Sequence, residues 1–411
     1  MPQHPADVHP RTAVLTRGFD PSLSVGSARP AVFRSSTFVF ASPEEAEHAF
    51  AITTGKVQPE DGARADLIYS RFSHPNAEIL EDQIVPLEAG AHHAAVFNSG
   101  MAAIMTACFV AARPDSTMIY TTPLYGGTTG LIHRFLAPLG VTGIAVPPGD
   151  SAALEQAIHN ARNPCIVFLE TPANPTMIMV DIERAANAAA VHPEKPVVMV
   201  DNTFLGPSFQ HPLQLGADLC LYSATKYLSG YSDMLGGVAI AASCDLIRSI
   251  RGARNMFGNI MQPDECWILD GRLSTVALRM NRQSKNAQRI AEALAGHRAL
   301  SRVIYPTLFT DPEQKRIFDK QCDFPGGMLS IEFHGGKEAA FDFLRRIRIA
   351  RNAVSLGGVE TLVCHPKSTT HSGMSAKELA ESGVTDGLVR ISVGIEDWRD
   401  LLADFEQALV S

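Results

Sequence analysis

Lys226 stands in SATKYLSG, directly behind the short run LCLYS, and Asp201 closes another short run, VVMVD, twenty-five residues earlier. A lysine is most often a solvated surface cation. At the end of a buried strand it is desolvated, its pKa falls, and the free amine becomes a nucleophile and a base. An aspartate after a strand is often a turn residue, but one beside such a lysine can also oppose a cationic ring nitrogen. An amine and a carboxylate at neighbouring strand ends are what pyridoxal phosphate requires. The amine binds its aldehyde as a Schiff base, and the carboxylate keeps the pyridine nitrogen protonated so that the ring acts as an electron sink.

The other parts of such a site have candidates in the same stretch of chain. NSGMAAI supplies Ser99, Gly100 and Met101 at a strand-to-helix turn, where glycine admits an anion to the backbone and a helix start offers free N–H groups. Ser223 and Thr225 add hydroxyls next to Lys226. Tyr125, in the glycine-rich LYGGTTG, offers an aromatic face for a ring to stack on. Asn174, between prolines in ETPANP, offers an amide on a stiff loop. Arg390, in LVRISVG, offers a bidentate cation for a carboxylate. Each is weak alone; their order and joint presence carry the reading.

The elements that must position these residues follow from the hydrophobic pattern. Between about 75 and 260, helical stretches such as NAEILEDQIVPLE and AALEQAIHNAR alternate with AAVFN, TMIYT, CIVFLE, VVMVD and LCLYS. Short apolar runs separated by helices predict a mainly parallel sheet covered on both faces, with ligands gathered where loops leave its carboxyl edge. SPEEAEHAF predicts a short helix, AVFRSSTFVFAS an extended segment, and TGKVQPEDGARAD a polar loop. CWILDGRLSTVALRMNRQSKNAQRIAEALAG predicts one long helix. GGMLSIEFHG, GLVRISVG and IRIARNAVSL predict strands of a smaller α+β unit, with AAFDFLRRI and WRDLLADFEQAL as its helices.

The bulk properties exclude several alternatives. With 411 residues the chain can bury a large core. Its net charge is −8 and it has no basic stripe, which argues against a nucleic-acid partner. No apolar run is long enough to span a membrane. The seven scattered cysteines, with no CxxC, read as reduced thiols of a cytoplasmic protein. His92 and His93 are adjacent in a strand and so point to opposite faces. No metal site is expected there.

The motifs YSRFSHPN, NSGMAAI, LYGGT, ETPANP, VDNTF, SATKYLSG, AVSLGGVETL and VRISVGIED, spread over residues 69–397, resemble those of the Cys/Met-metabolism family of pyridoxal phosphate enzymes. The resemblance implies fold type I, the aspartate-aminotransferase-like α/β architecture: a mostly parallel seven-stranded sheet and a smaller C-terminal α+β domain. It implies an arm over residues 1–73, a cofactor-binding domain over 74–270 and a small domain over 271–411. Lys226 would carry the cofactor, Asp201 face its ring nitrogen, Tyr125 stack on it, and Ser99, Gly100, Met101, Ser223 and Thr225 surround its phosphate. Tyr69 and Arg71 would reach the phosphate of a neighbouring subunit, within a homotetramer built from dimers with shared sites. Arg390 and Asn174, with Ser355 nearby, would hold the substrate carboxylate.

The resemblance also bears on the substrate. Cystathionine-processing members commonly carry glutamate where this chain has Val354, and an apolar wall leaves a distal ammonium unpaired. Gly127 stands where methionine γ-lyases typically have cysteine, and Tyr231 where many relatives have histidine. The leading expectation is a carbon–sulfur lyase of methionine γ-lyase type, with Tyr125 as acid to the leaving sulfur. The alternatives are γ-replacement on an O-acylhomoserine, as in a sulfhydrylase or cystathionine γ-synthase, and cystathionine γ-lyase.

Overall fold

Short runs of Val, Ile, Leu and Ala become strands where helices can cover both of their faces. In the computed structural model, which describes residues 8–15, 17–57 and 67–409, one sheet contains β1 (His93–Phe97), β2 (Thr117–Thr121), β3 (Thr142–Val146), β4 (Pro164–Glu170), β5 (Val197–Asp201), β6 (Leu219–Ser223) and β7 (Gly237–Ala241). A second contains β8 (Leu300–Ile304), β9 (Met328–Phe333), β10 (Arg351–Asn352), β11 (Leu362–Cys364) and β12 (Leu388–Ser392). The first sheet has the order β1-β7-β6-β5-β4-β2-β3, and only β7 runs against its neighbours. All five apolar runs picked out in the sequence are strands of this sheet. β3 and β7 were not picked out, for opposite reasons. β3 is an edge strand, TGIAV, with only Val146 buried. β7 is fully buried, but its GVAIA alternates Val and Ile with Gly and Ala directly behind a glycine turn.

The helix Gly100–Ala111 is apolar almost all round and packs on the first sheet, where Ala103, Ala107 and Cys108 meet Phe97, Met118 and Leu221. The second sheet, ordered β10-β11-β12-β9-β8, is covered by the helices Val276–Leu294, Gly336–Arg346 and Trp398–Leu409. Ile290, Phe343 and Phe405 there pack on Leu329, Ile331 and Val389.

Two expectations need correction. The long helical pattern is two helices, Pro263–Leu273 and Val276–Leu294. At the break the Ser274 hydroxyl donates to the Gly271 carbonyl, and Arg279 Nη2 donates to the Arg272 carbonyl at 3.2 Å, so side chains take acceptors that a continuous helix would use. IRIARNAVSL yields only the two-residue β10. Asp404 accepts the N–H groups of Arg348, Ile349 and Ala350 at 2.8, 2.8 and 3.1 Å, donors that a longer strand would have spent on its neighbour. AVFRSSTFVFAS, expected as an extended segment, lies outside both sheets and makes one isolated bridge, Thr37 to Tyr69. SPEEAEHAF forms the helix Pro43–Thr53 with Ser42 as its cap. Residues 58–66 of the predicted polar loop lie outside the described residues.

β1 leads straight into Ser99–Gly100–Met101 and is an edge strand. Exposed strand edges invite further pairing, and here side chains occupy the edge. Glu81 accepts the Val96 N–H at 2.9 Å, Arg254 donates to the Val96 carbonyl at 2.7 Å, and Arg251 donates to the Ala94 carbonyl at 2.6 Å. Glu81 is itself buried and paired with Arg254 at 2.6 Å and Arg251 at 2.7 Å. Burial pushes the Glu81 carboxyl up, but the two guanidinium groups and the Val96 N–H outweigh it and hold the pKa below the usual range. The stability that this pairing contributes is present above the unfolded carboxylate pKa and is lost on acidification. Glu81→Gln should therefore destabilise the fold by about 3 kcal/mol in urea unfolding at neutral pH. The difference from wild type should shrink as pH falls; a pH-independent difference would show that charge plays no part.

Candidate active site

β1, β2, β4, β5 and β6 run the same way, and the loops leaving their common edge face β12 of the second sheet. Between them lies a cavity of about 320 Å³. Ser99, Gly100, Met101, Tyr125, Asn174, Asp201, Ser223, Thr225, Lys226, Val354, Ser355 and Arg390 all line it, although the chain separates the first from the last by nearly three hundred residues. Tyr69 and Arg71 do not. They line a separate cavity of about 470 Å³ with Arg34 and Asp264, and Arg71 donates to the Asn255 carbonyl at 2.8 Å.

Lys226 follows β6 in a tight turn closed by its own N–H to the Ser223 carbonyl at 3.1 Å. Its Nζ donates to Ser355 Oγ at 2.8 Å. Burial first, and the Arg390 charge second, pull its pKa down to about 8. Ser355 has φ +85°, in the left-handed region that a non-glycine residue rarely occupies. That backbone lets one residue serve two partners: its hydroxyl meets Lys226, and its carbonyl accepts from Arg390 Nη2 at 2.7 Å.

Arg390 is buried, and its Nη1 donates to Asn174 Oδ1 at 3.0 Å. Among the described residues its Nε–H has no acceptor and no carboxylate pairs with the guanidinium. The Asn174 carbonyl is held by His371 Nε2 at 3.2 Å. A carbonyl can only accept, so that nitrogen carries the proton and Nδ1 accepts from the Thr370 hydroxyl at 2.8 Å. Burial pulls the His371 pKa down to about 4, keeping the imidazole neutral.

At the far wall Ser99 caps the helix Gly100–Ala111, taking the Ala102 N–H at 3.1 Å. The N–H groups of Gly100 and Met101 are left over by the helical ladder. Gly100 is pressed on Ser223: a Cβ there would lie 2.9 Å from Ser223 Cβ. Gly127 is confined in the same way. A Cβ on it would lie 2.6 Å from Tyr125 Cε1 and 2.7 Å from Met101 Sδ, so the glycine is what permits this placement of the ring. Tyr231 lies outside the cavity; its ring faces Arg272 at 4.8 Å and Arg279 at 5.8 Å.

Sequence reasoning missed Glu170 and Thr203. Asp201 Oδ1 accepts both the N–H and the hydroxyl of Thr203, the former at 3.1 Å. Glu170 ends β4 in register with Asp201 at the end of β5. It is buried, lines the cavity, and accepts the N–H of Tyr125 at 2.7 Å and of Asn174 at 3.2 Å. Burial, and then the Asp201 charge, push its carboxyl up to about 8. Burial also raises Asp201, against the pull of the Thr203 hydrogen bonds. The rule that singled out Asp201, a carboxylate closing an apolar run, also describes CIVFLE.

Residues 11–410 match the family described as Cys/Met metabolism PLP-dependent enzyme. The chain is 38% identical over 400 residues to the L-methionine gamma-lyase of Pseudomonas deceptionensis, covering 97% of this chain and 96% of that one. It is 37% identical to the cystathionine gamma-lyase of Bacillus subtilis, covering 88% and 93%. Among solved structures, that of metB from Corynebacterium glutamicum superposes with a TM-score of 0.88 at 33% identity, covering 99% of both chains. The architecture is that of fold type I pyridoxal phosphate enzymes. The donor set suits the cofactor: a desolvated amine, a carboxylate at a strand end, and a helix start with hydroxyls beside it.

The lowered pKa of Lys226 can be tested directly. In cofactor-free protein, acylation of Lys226 read by peptide mass spectrometry should rise with a midpoint of about pH 8. Arg390→Leu removes a like charge and should move that midpoint upward. An unmoved midpoint would show that the guanidinium does not act on the amine.

Proposed function

The chain belongs to the family of Cys/Met metabolism PLP-dependent enzymes, and within it we propose that it is a carbon–sulfur lyase. In this reading it eliminates the γ-substituent of a methionine-like amino acid to give a thiol, 2-oxobutanoate and ammonia. The observation that carries the reading is Arg390: a buried guanidinium with an unmatched Nε–H and no carboxylate partner among the described residues, 129 residues' worth of chain having been folded back so that Ser355 joins it to Lys226. Such a cation suits an amino acid's carboxylate.

Pyridoxal phosphate, when bound, supplies a sink for the electrons released at the substrate's α-carbon. Lys226 would hold it, Asp201 would face its ring nitrogen, and Ser99, Gly100, Met101, Ser223 and Thr225 would take its phosphate. Arg390 and Asn174 orient the substrate carboxylate, with Ser355 beside them. Lys226 Nζ, with a pKa near 8, is basic enough to take the α-proton and weak enough to give it up again. The Tyr125 hydroxyl delivers a proton to the departing sulfur. Val354 and Leu235 line the distal end of the pocket with apolar atoms, which suits a thioether methyl better than an ammonium.

The relatives named above support this reading, since an L-methionine gamma-lyase is among them. γ-Replacement on an O-acylhomoserine is the second reading. It is favoured by a cleft of about 940 Å³ that shares Thr225, Leu235, Val354 and Ser355 with the cavity and gives a second nucleophile room to approach. Cystathionine γ-lyase is the third. Tyr69 and Arg71, placed away from Lys226 within one chain, suit a role in a neighbouring subunit's site. That implies a dimer with shared sites, in a homotetramer, with residues 1–73 as the reaching arm, 74–270 holding the cofactor and 271–411 closing over it. No helix among the described residues is long and apolar enough to cross a membrane, and free cysteines throughout suit the cytoplasm.

Product analysis distinguishes the readings. Incubation with methionine, cystathionine or O-acylhomoserines, each with and without added thiol, should give 2-oxobutanoate from methionine alone. Thioether formation only when thiol is present would overturn the lyase reading in favour of replacement. Lys226→Ala should reduce turnover to background, and Val354→Glu should shift preference toward cystathionine. An unchanged preference would remove Val354 from the distal pocket.

A further inference from the structure

The buried carboxyl at the end of β4 has no part in the chemistry above, yet it touches both loops that face the substrate. We propose that Glu170 is a positioning residue, the buried carboxyl that sets Tyr125 and Asn174 relative to one another, one oxygen to each. This rests on the assignment of Asn174 and Arg390 to the substrate carboxylate.

The two contacts divide cleanly. Oε2 accepts the Tyr125 N–H at 2.7 Å, at the start of the short helix Gly126–Leu131. Oε1 accepts the Asn174 N–H at 3.2 Å, in the loop after β4. Asn174 then passes the constraint on: its Oδ1 accepts from Arg390 at 3.0 Å. One side chain on a rigid strand end thus fixes the loop of the stacking tyrosine and the loop of the carboxylate clamp. Each loop has one tie to a strand, the Thr122 N–H to the Val146 carbonyl of β3 at 3.0 Å and Ser330 Oγ of β9 to the Pro175 carbonyl at 2.7 Å, and Glu170 links the two loops to each other. The strand end is itself fixed, since Glu170 pairs in register with Asp201 across β4 and β5. A misplacement of a few tenths of an ångström at Glu170 would move both loops together, and positioning of this kind is worth a large share of a rate.

Both oxygens act as acceptors, and that is the property to test. Acceptor capacity survives protonation, because a carboxylic acid's oxygens still carry lone pairs. A carboxamide differs: it keeps one acceptor and turns an N–H against the other N–H. Glu170→Gln therefore preserves volume while breaking one of the two anchors, and Glu170→Ala breaks both.

The test follows the binding of L-alanine and L-alaninamide to cofactor-loaded protein, read from the visible spectrum of the bound cofactor. Neither probe has a γ-substituent to lose, so the measurement reports on Glu170 whether or not the enzyme is a γ-lyase. Glu170→Ala should keep its cofactor, lose about tenfold in L-alanine affinity, and bind L-alaninamide as wild type does. Glu170→Gln should lose less in the same direction. Asn174→Ala should match Glu170→Ala, and the double variant should be no weaker than either single one, because two residues on one path do not add. Unchanged acid-over-amide discrimination in both Glu170 variants would overturn the proposal. So would full additivity with Asn174→Ala. Loss of cofactor from Glu170→Gln, the variant of conserved volume, would overturn it as well, by making Glu170 part of the cofactor's own seat.

Discussion

A guanidinium withdrawn from water, with no carboxylate beside it among the described residues, is the constraint on which the rest of the site depends. Taking such an ion out of water costs several kcal/mol. Arg390 recovers part of this through two neutral oxygens, the Asn174 amide and the Ser355 carbonyl. Neither oxygen neutralises the charge, so its field reaches Lys226 and adds to the effect of burial on that amine. Each acceptor also has to be held against relaxation. Asn174 is braced by Glu170 on one side and by the neutral His371 on the other. Ser355 is braced by a left-handed backbone, which a serine adopts only when its surroundings demand it.

The two sheets give this arrangement its geometry. Parallel strands end together, so β1, β2, β4, β5 and β6 place their following residues on one edge, and each loop contributes a side chain without reaching far. β12 brings Arg390 in from the opposite side, fixed between β9 and β11 by antiparallel pairing. Strands present Glu170, Asp201, Ser223 and Arg390, and the turns and loops beside them supply Ser99, Tyr125, Asn174, Thr225, Lys226 and Ser355. Side-chain clamps on the β1 edge secure the turn that leads to the helix start at Gly100.

How legible each part was in the sequence depended on how local its physics is. Lys226, Asp201 and the Ser99–Met101 turn are read from a few neighbouring letters, because an apolar run followed by a polar residue is itself a strand end. The central strands were legible for the same reason. β3 and β7 were not: one is too exposed, and the other starts inside a glycine-rich turn. The interruption after Leu273 was hidden because the side-chain bonds that accompany it, to the Gly271 and Arg272 carbonyls, leave no mark in the periodicity. Glu170 was equally hidden. Its letters were visible, but its two hydrogen bonds join loops 45 residues before it and four after it, and only the folded sheet brings both within reach.

The crowding at Gly127 has a consequence for how sequences of this kind can diverge. Tyr125 Cε1 and Met101 Sδ already occupy the space that a side chain at position 127 would need, at 2.6 and 2.7 Å from its first carbon. Both atoms belong to the ends of side chains, so a larger residue at 127 requires the Met101 thioether or the Tyr125 ring to swing aside. The three positions therefore form one packing unit, in which the size of residue 127 sets where the ring at 125 can lie.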